Sequence, residues 1–450
     1  MEATDTWLMI SALASILLVL FLVMKSKWQA FIALIFTSFV LGLLSGMPVS
    51  DIIQSVETGM GDTLGFVAIV IGLGAMFGRM LEISGGAERL AQTLIDKFGE
   101  KRAQWALALT GFIISIPVFL DVALVILIPI IYSLGKKTKK SLLYYGIPLL
   151  AGLAVTHSFI PPTPGPISVA KIVGADLGWV ILFGFLAGIP AMIVAGPVFG
   201  KYIAGKIHSV EPEYIRANQE ERNDDKELPS FGLITFLILL PLVMILGKTL
   251  SEAMLPEGDT VREVLAFIGH PFVALLLVTI LSFFTLGRLR GYTREDVQSI
   301  ATKALEPAGI IILITGAGGV FGQVLVDSGI GELMGNLMKD SSLPPVLLAF
   351  VISTFVRVAQ GSATVAMITT AGLMTPIIQE LSITGPALGL IVIAISCGAT
   401  ILSHVNDSGF WMVNRFFGLS ERDTLRSWTA METIIALVGF AVVFALSFVV

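Results

Sequence analysis

Four short stretches of the chain place polar or ionisable side chains beside prolines and glycines, inside sequence that is otherwise strongly apolar. They read "SIPVFLD" from Ser115, "THSFIPPTPGP" from Thr156, "RVAQGSAT" from Arg357 and "SHVNDSG" from Ser403. An interrupted helix frees backbone N–H and C=O groups, which in a bilayer only protein or a watery cavity can satisfy. Ionisable groups at such places are candidates for function. The four stretches therefore predict the binding site of a small solute or an ion.

The polar groups of these stretches suit an organic anion that carries hydroxyl groups. Arginine holds a carboxylate through two parallel hydrogen bonds, and freed helix N-termini present N–H groups with partial positive charge. We expect contacts with such an anion from His157, Ser158, Thr163, Gly165, Arg357, Gln360, Gly361, Ser362, Thr364, Asn406 and Ser408. The alternative for "QGSAT" is close packing between membrane helices through small residues.

Four side chains are candidates for carrying a proton, namely Asp121, His157, His404 and Asp407. A histidine can do so without large adjustment because its ordinary pKa is about 6.5. An aspartate needs a buried setting that favours the neutral carboxyl. Each group also has a structural alternative: Asp121 could be a satisfied carboxyl at a turn, the histidines could be hydrogen-bonding braces, and Asp407 could cap a helix. Arg357 could likewise brace the fold through carbonyl contacts.

The composition indicates which elements must hold these groups. The chain has 450 residues, of which 55% are hydrophobic and 14% are charged, with a mean hydropathy of +0.90. Soluble domains carry about 25% charged residues. Apolar runs long enough to cross a bilayer core of about 30 Å recur along the whole chain, for example at 64–82 and 306–326. We therefore predict an all-α polytopic membrane protein.

The two halves of the chain resemble each other. "GLGAMFGRMLEISGGAERL" from Gly72 aligns without gaps on "GAGGVFGQVLVDSGIGELM" from Gly316, with identity at eight of 19 positions. Basic residues follow the first copy between 79 and 102, whereas between 288 and 303 they precede the second copy. Because positively charged loops stay in the cytoplasm, the two copies cross the membrane in opposite directions. The pattern is typical of an inverted-topology repeat.

This inversion predicts the whole architecture. Residues 1–205 and 230–450 form two inverted repeats, each with five transmembrane helices, one re-entrant hairpin and one interrupted helix, and 206–229 form a cytoplasmic linker. The hairpins fall at 103–134 and 343–380, and both termini lie outside the cytoplasm. Two further segments, 85–99 and 327–340, are amphipathic and either lie along the interface or simply connect helices. Interrupted helices at matching positions point to a transporter binding site near the membrane midplane.

"HSFIPPTPGP", "PVFLDVALVILIPI" and "QGSATVAM", together with the length and the two-half layout, resemble the gluconate permease family of proton symporters. The resemblance covers nearly the whole chain. It implies the fold of the ion-transporter superfamily, a homodimer with scaffold and transport domains, and a place in a bacterial inner membrane. It also implies uptake of a sugar acid such as gluconate, driven by protons. Carried onto this chain, the hairpin tips fall at Pro117–Asp121 and Gln360–Thr364, and the interrupted helices at Thr156–Pro166 and Ser403–Gly409.

The sequence leaves several alternatives to this secondary active transporter. A sodium-coupled carboxylate symporter is one, although the hairpin tips lack the Ser-Asn-Thr pattern common in the sodium-coupled branch. A permease for idonate or D-serine is another, and a passive channel is a third. A membrane enzyme is disfavoured because no catalytic triad or metal cluster is evident. No nucleotide-binding loop is present either, so transport would run on an ion gradient without cofactor, metal or nucleic acid.

Overall fold

The computed structural model describes residues 5–212, 228–330, 343–405 and 407–450. Within these ranges the chain is helical, and none of the described residues lies in a β-strand. Eight helical segments of the described chain, some of which join consecutive helices named below, are long and apolar enough to cross a membrane. Shorter apolar helices supply the remaining crossings and hairpin arms. The predicted all-α polytopic fold is confirmed.

The first half contains three spanning helices, a hairpin, an interrupted helix and a final long helix. The bounds are α1 Asp5–Met24, α2 Ala30–Leu44, α3 Val49–Ile83, α4 Gly86–Phe98, α5 Ala103–Ile114, α6 Leu120–Thr138, α7 Leu143–Phe159, α8 Pro164–Val173, α9 Leu177–Ile193 and α10 Phe199–Ala204. Helices α5 and α6 form hairpin 1. Helices α7 and α8 are the two parts of the interrupted helix, separated by break 1 at residues 160–163.

The second half repeats this order. Its helices are α11 Phe231–Met254, α12 Thr260–Ile268, α13 Pro271–Ser282, α14 Arg294–Asp327, α15 Pro345–Gln360, α16 Ala363–Glu380, α17 Pro386–Thr400, α18 Ser408–Phe416, α19 Glu421–Thr424 and α20 Ala430–Leu446. Helices α15 and α16 form hairpin 2. Break 2, at residues 401–407, separates α17 from α18, and a π-helical turn at Leu425–Thr429 joins α19 to α20.

The long helices α3 and α14 carry the sequence repeat and pack against each other in opposite directions. Ser55, near the start of α3, donates a hydrogen bond over 2.6 Å to the carboxylate of Asp327 at the end of α14. Gly72, in the second half of α3, faces Leu305 in the first half of α14. Two copies of one pattern that run antiparallel confirm the predicted inverted repeat. With 35 and 34 residues, both helices extend well beyond their apolar runs.

In each half the first hairpin arm packs closely on the first part of the interrupted helix. A methyl group added at Gly152 of α7 would lie 2.2 Å from the carbonyl oxygen of Ala108 in α5. At the matching place in the second half, a methyl group added at Gly398 would lie 2.4 Å from the carbonyl oxygen of Phe350. Only glycine allows backbones to come this close. Each hairpin is therefore tied firmly to its own interrupted helix.

The two breaks differ in what covers them. Break 1 contains a cis peptide bond between Pro161 and Pro162, and its residues lie buried against the tip of hairpin 1. That tip is itself seated on α3, because a methyl group added at Gly78 would lie 1.9 Å from the carbonyl oxygen of Pro117. Break 2 and the tip of hairpin 2 instead open on a cavity. Break 1 is thus closed, whereas break 2 is open.

Of three further predicted segments, one lies within the described residues and two lie largely outside them. Most of the linker predicted at 206–229 lies outside the described residues, since 213–227 are not among them. Helix α4 forms where the first amphipathic segment was expected, and it buries one face that includes Leu90 and Leu94. The second amphipathic segment, 327–340, lies largely outside the described residues. The unit boundaries at 205 and 230 stay predictions.

Candidate functional site

A cavity of about 550 Å³ lies where the tip of hairpin 2, break 2, the start of α6 and the end of α7 meet. Helices α14 and α20 complete its wall. Ten of the residues expected from the sequence line this cavity: Asp121, His157, Ser158, Arg357, Gln360, Gly361, Ser362, Thr364, Asp407 and Ser408. Stretches far apart in the chain, from both halves, therefore form one polar site.

Three expected site residues do not line this cavity. Thr163 donates its hydroxyl to the carbonyl of Ile160 over 2.6 Å inside break 1, and Gly165 packs against Met367 of hairpin 2. A ring nitrogen of His404, Nε2, lies 3.1 Å from the carbonyl oxygen of Val358. Break 1 turns its polar groups inward because the tip of hairpin 1 covers it. A fourth expected residue, Asn406, lies outside the described part of the chain.

A buried ion pair joins the end of hairpin 2 to break 2. The Nη2 atom of Arg357 donates to Oδ2 of Asp407 over 2.6 Å, and its Nη1 atom donates to the carbonyl of Gly361. Asp407 also caps α18, accepting a hydrogen bond from the backbone N–H of Gly409 at 3.1 Å and another from the hydroxyl of Ser403. Removing one partner of a buried ion pair leaves a charge without compensation. The pair thus holds the tip and the break in one arrangement.

Several polar atoms around the cavity are buried without a hydrogen-bond partner among the residues that the structure describes. They are both amide atoms of Gln360, the Nε atom of Arg357 and the Nδ1 atom of His157. Buried polar groups in folded proteins are almost always hydrogen-bonded, so each exception calls for a reason. Here all three side chains line the same cavity. A polar ligand in the cavity would supply the missing partners.

The cavity carries a net negative charge. Its wall contains one permanent cation, Arg357, and three carboxyl groups, on Asp121, Asp407 and Glu432. With His157 neutral, the lining has a formal charge of −2 when all three carboxyl groups are ionised. Asp407 is compensated by its arginine, and Asp121 lies in the first turn of α6, where the helix N-terminus favours a negative charge. Glu432 has neither kind of compensation, because the helix already runs through α19 and the π-helical turn before α20, so no free helix N-terminus lies beside it.

Glu432 and Trp428 were not expected from the sequence. Glu432 lies in the first turn of α20, and only 5% of the residue is exposed. The indole of Trp428 donates to the hydroxyl of Ser403 over 2.7 Å and so supports the residue that donates to Asp407. A signal was available, because Glu432 is an ionisable residue inside the last apolar run. Its place near the start of that run is also the ordinary place of a helix-end charge.

A second cavity, of about 330 Å³, adjoins the first. Both cavities include Phe119, Val122 and Pro307 in their walls. The second is lined further by charged side chains from α3 and α14, among them the Arg79–Glu82 ion pair, whose atoms lie 2.5 Å apart. It therefore lies toward the end of α3 and the start of α14. The second cavity thus adjoins the site on the side of the end of α3 and the start of α14.

The fold and the site together define a class of protein. Two inverted repeats, each with a hairpin and an interrupted helix beside a polar cavity, are the architecture of secondary transporters. A crystal structure of the YdaH transporter of Alcanivorax borkumensis has a similar fold, with a TM-score of 0.64. The two sequences are 16% identical, and the similarity covers 93% of this chain and 97% of that one. At this identity the likeness concerns the fold alone.

The chain belongs to the GntP family of permeases, whose family model, described as GntP family permease, matches residues 7–449. It is 43% identical over 436 residues to the low-affinity gluconate transporter of Escherichia coli (strain K12), covering 97% of each chain. It is 39% identical to the gluconate permease of Bacillus subtilis (strain 168), covering 97% of this chain and 98% of that one. The Gnt-II system L-idonate transporter of Escherichia coli (strain K12) is also 39% identical, covering 96% of this chain and 98% of that one. The family expected from the sequence is confirmed.

Proposed function

We propose that this permease is a proton-coupled symporter that takes up gluconate or a closely related sugar acid. The names of its relatives support the substrate, because most of those compared are gluconate transporters or permeases. The observation that carries the proposal is the composition of the cavity wall. It combines a single guanidinium with unpartnered amide and imidazole groups and with an excess of carboxylates.

The carboxylate of the substrate has a natural position beside hairpin 2. Within the described ranges of the chain, the Nε atom of Arg357 is buried and has no hydrogen-bond partner. The first turn of a helix leaves N–H groups unpaired, and Ala363 and Thr364 of the first turn of α16 line the same cavity. A carboxylate placed there accepts charge-assisted hydrogen bonds from the guanidinium and from these amides.

The hydroxyl groups of the substrate would be recognised by the remaining polar lining. Gln360 offers one amide acceptor and one amide donor group, both without partners among the described residues. Ser158 and Ser362 line the same cavity, and the unpartnered Nδ1 of His157 completes the set. A site that hydrogen-bonds hydroxyl groups discriminates against analogues that lack them, because its own polar groups are then left unpaired.

The charge of the cavity favours coupling to a cation. A monocarboxylate that enters a lining of formal charge −2 makes the local charge more negative, and burial makes this unfavourable. One proton taken up with each substrate offsets the added charge. Glu432 can accept a proton at modest cost because no described residue donates a hydrogen bond to its carboxylate. This supports protons rather than sodium as the coupling ion.

Uptake into proteoliposomes at fixed membrane potential tests this function. We expect gluconate to accumulate when the outside is acidic and a sodium gradient to have no effect. Accumulation driven by sodium alone would contradict proton coupling. Flux without accumulation would instead indicate a channel. Parallel trials with idonate, other sugar acids and D-serine define the substrate, and a preference for D-serine would contradict the choice of a sugar acid.

The placement in the membrane and the assembly are part of the same proposal. We infer an inner-membrane homodimer with a cytoplasmic linker and with both termini outside the cytoplasm. The distribution of Lys and Arg supports this orientation. The chain has one cysteine, Cys397, which is buried, so cysteines introduced at Lys206 and at Asp5 would report the exposed side by labelling of intact cells. Cross-linking in membranes checks the dimer.

A further inference from the structure

Glu432 is a carboxyl group in the cavity wall that the proposed function leaves without a specific task. It lies in the first turn of α20, with 5% of the residue exposed, and lines the same cavity as Arg357 and Asp407. Within the described part of the chain, no hydrogen bond from another residue reaches its carboxylate. Ionised carboxylates are rarely buried in this way, because the loss of hydration is costly unless hydrogen bonds or a cation compensate for it.

The charged surroundings of Glu432 come from several elements. The charged or titratable groups on the elements packed against α20, or in the same cavity wall, are Arg357 on α15, Asp407 in break 2, His157 on α7, Asp121 on α6, Cys397 on α17 and the exposed Arg426 in the π-helical turn. Helix α9 also packs on α20 and contains no charged residue. Of these groups, Arg357 and Asp407 act most directly on Glu432, with opposite signs.

The other two carboxyl groups of the cavity lie beside groups that stabilise a negative charge. Asp407 accepts hydrogen bonds from a guanidinium, a hydroxyl and a backbone N–H. Asp121 is exposed and lies at the N-terminus of α6. Donors and a helix N-terminus both favour a negative charge. Of the three carboxyl groups in the cavity wall, Glu432 is therefore the one that binds a proton most readily.

We propose that Glu432 binds the proton that is transported with the substrate, an inference that rests on the proposed function. A proton from water adds to the carboxylate and gives the neutral acid, which removes one of the two negative charges that compete for Arg357. The guanidinium then interacts more strongly with the carboxylate of the substrate. When the substrate leaves, the ionised form of Glu432 regains the attraction of Arg357, and the proton returns to water on that side.

This arrangement makes the binding of proton and substrate mutually supportive. If protonation of Glu432 strengthens substrate binding, then bound substrate must strengthen proton binding by the same factor. The group common to both is Arg357, which contacts break 2 and the tip of hairpin 2 and lines the same cavity as Glu432 of α20. No separate relay is needed, because both ligands act on one guanidinium.

Two transport assays with a Glu432→Gln variant in proteoliposomes separate this proposal from a merely structural role. The glutamine mimics the protonated carboxyl group, so exchange of labelled gluconate across the membrane should persist within a few-fold and lose its dependence on pH. Accumulation driven by a pH gradient should fall more than tenfold. Glu57→Gln is the matched control, because Glu57 is an exposed glutamate in a spanning helix and does not line the cavity; it should behave as the wild type.

The outcomes distinguish the two proposals. If Glu432→Gln still accumulates gluconate with the pH profile of the wild type, Glu432 is not the proton site. If the wild-type protein itself shows no accumulation driven by a pH gradient, the proposed function fails instead. Should the glutamine variant not fold, Glu432→Asp keeps an ionisable group at a shifted position. Its pH profile for gluconate binding must then move relative to that of the wild type, and an unchanged profile would overturn the proposal.

Discussion

The guanidinium of Arg357 lies 2.6 Å from the carboxylate of Asp407, so the end of a re-entrant hairpin and an interrupted helix share one buried ion pair. The two residues are fifty positions apart in the chain. Arg357 also contacts the carbonyl of Gly361 at the hairpin tip. One side chain thus positions the tip and braces break 2, and its Nε atom contacts no hydrogen-bond acceptor in the described part of the chain, so a ligand can use it.

Replacing Arg357 with lysine should weaken substrate binding more than it weakens the fold. Lysine keeps the positive charge but lacks the planar fork that binds two groups at once. Hydrogen bonds to charged groups contribute about 1.5–3 kcal/mol, so we expect the gluconate affinity to fall by roughly ten- to a hundredfold. Titration calorimetry on purified protein measures this. Arg262→Lys, on the short helix α12, is the control, and an equal loss in both variants would contradict a role in binding.

Replacing Gln360 with leucine should reduce affinity without destabilising the protein. Both amide atoms of Gln360 are buried without partners among the described residues, so their removal costs no hydrogen bond seen there. Thermal unfolding in detergent should therefore be unchanged or occur at a slightly higher temperature, whereas gluconate binding should weaken about tenfold. The control is Gln379→Leu on the same hairpin, because Gln379 is exposed and does not line the cavity. Unchanged affinity in Gln360→Leu would exclude the amide from recognition.

Replacing Gly152 with alanine should destabilise the contact between hairpin 1 and its interrupted helix. The added methyl group would meet the carbonyl oxygen of Ala108 at 2.2 Å, so the two backbones must separate. Overpacking of this kind costs about 1–3 kcal/mol, and the melting temperature in detergent should fall. Gly247→Ala is the matched control, since nothing lies within 4 Å of a methyl group at Gly247 in α11. Equal melting temperatures for the two variants would refute the close contact.

The interactions of the Asp176 carboxylate predict that the stability of the protein depends on pH. Its carboxylate, in the loop before α9, lies 2.9 Å from Lys248 and accepts the hydroxyl of Thr249 at 2.5 Å, which joins the two halves of the chain. Burial opposes ionisation of Asp176, but the hydrogen bonds from Thr249 and Lys248 and the lysine charge outweigh it and lower its pKa. The stabilisation is therefore complete above the ordinary pKa of about 3.9 and is lost as pH falls through the lowered value.

Thermal unfolding measured from pH 7 down to pH 3 checks this sign. At neutral pH, Asp176→Asn should melt at a lower temperature than the wild type, and the difference should shrink as the solution becomes acidic. Glu257→Gln, at an exposed turn, should follow the wild type throughout. A difference that grows toward acid pH would show that Asp176 is not stabilised in its ionised form.

The sequence predicts the fold well because its signals are strong and local. Apolar runs define the spans, the glycine-rich repeat pairs α3 with α14, and the basic residues give their opposite directions. The sequence predicts the lengths of these two helices less well, because both helices extend through polar sequence, to Val49 and to Arg294. Tertiary packing between the helices stabilises those turns, and the apolar pattern alone does not record it.

The site was predictable in its parts and less so in their arrangement. Polar residues beside helix breaks identify Arg357, Gln360 and Asp407 correctly as members of one cavity wall. The same rule gives no means of deciding that Thr163 faces inward, because that depends on the tip of hairpin 1 covering break 1. Glu432 escapes the rule altogether, since it belongs to an unbroken helix and reaches the cavity through packing of α20.

The difference between the two breaks has a consequence for the working cycle. Break 1 and break 2 occur in repeats of one design, yet the first is sealed and the second is open. One kind of break is therefore buried in one half of the chain and open in the other. We expect break 2 to be buried and break 1 to be open in the opposite state of the carrier. The structure of that state can then be built by giving each half the conformation that the other half has here.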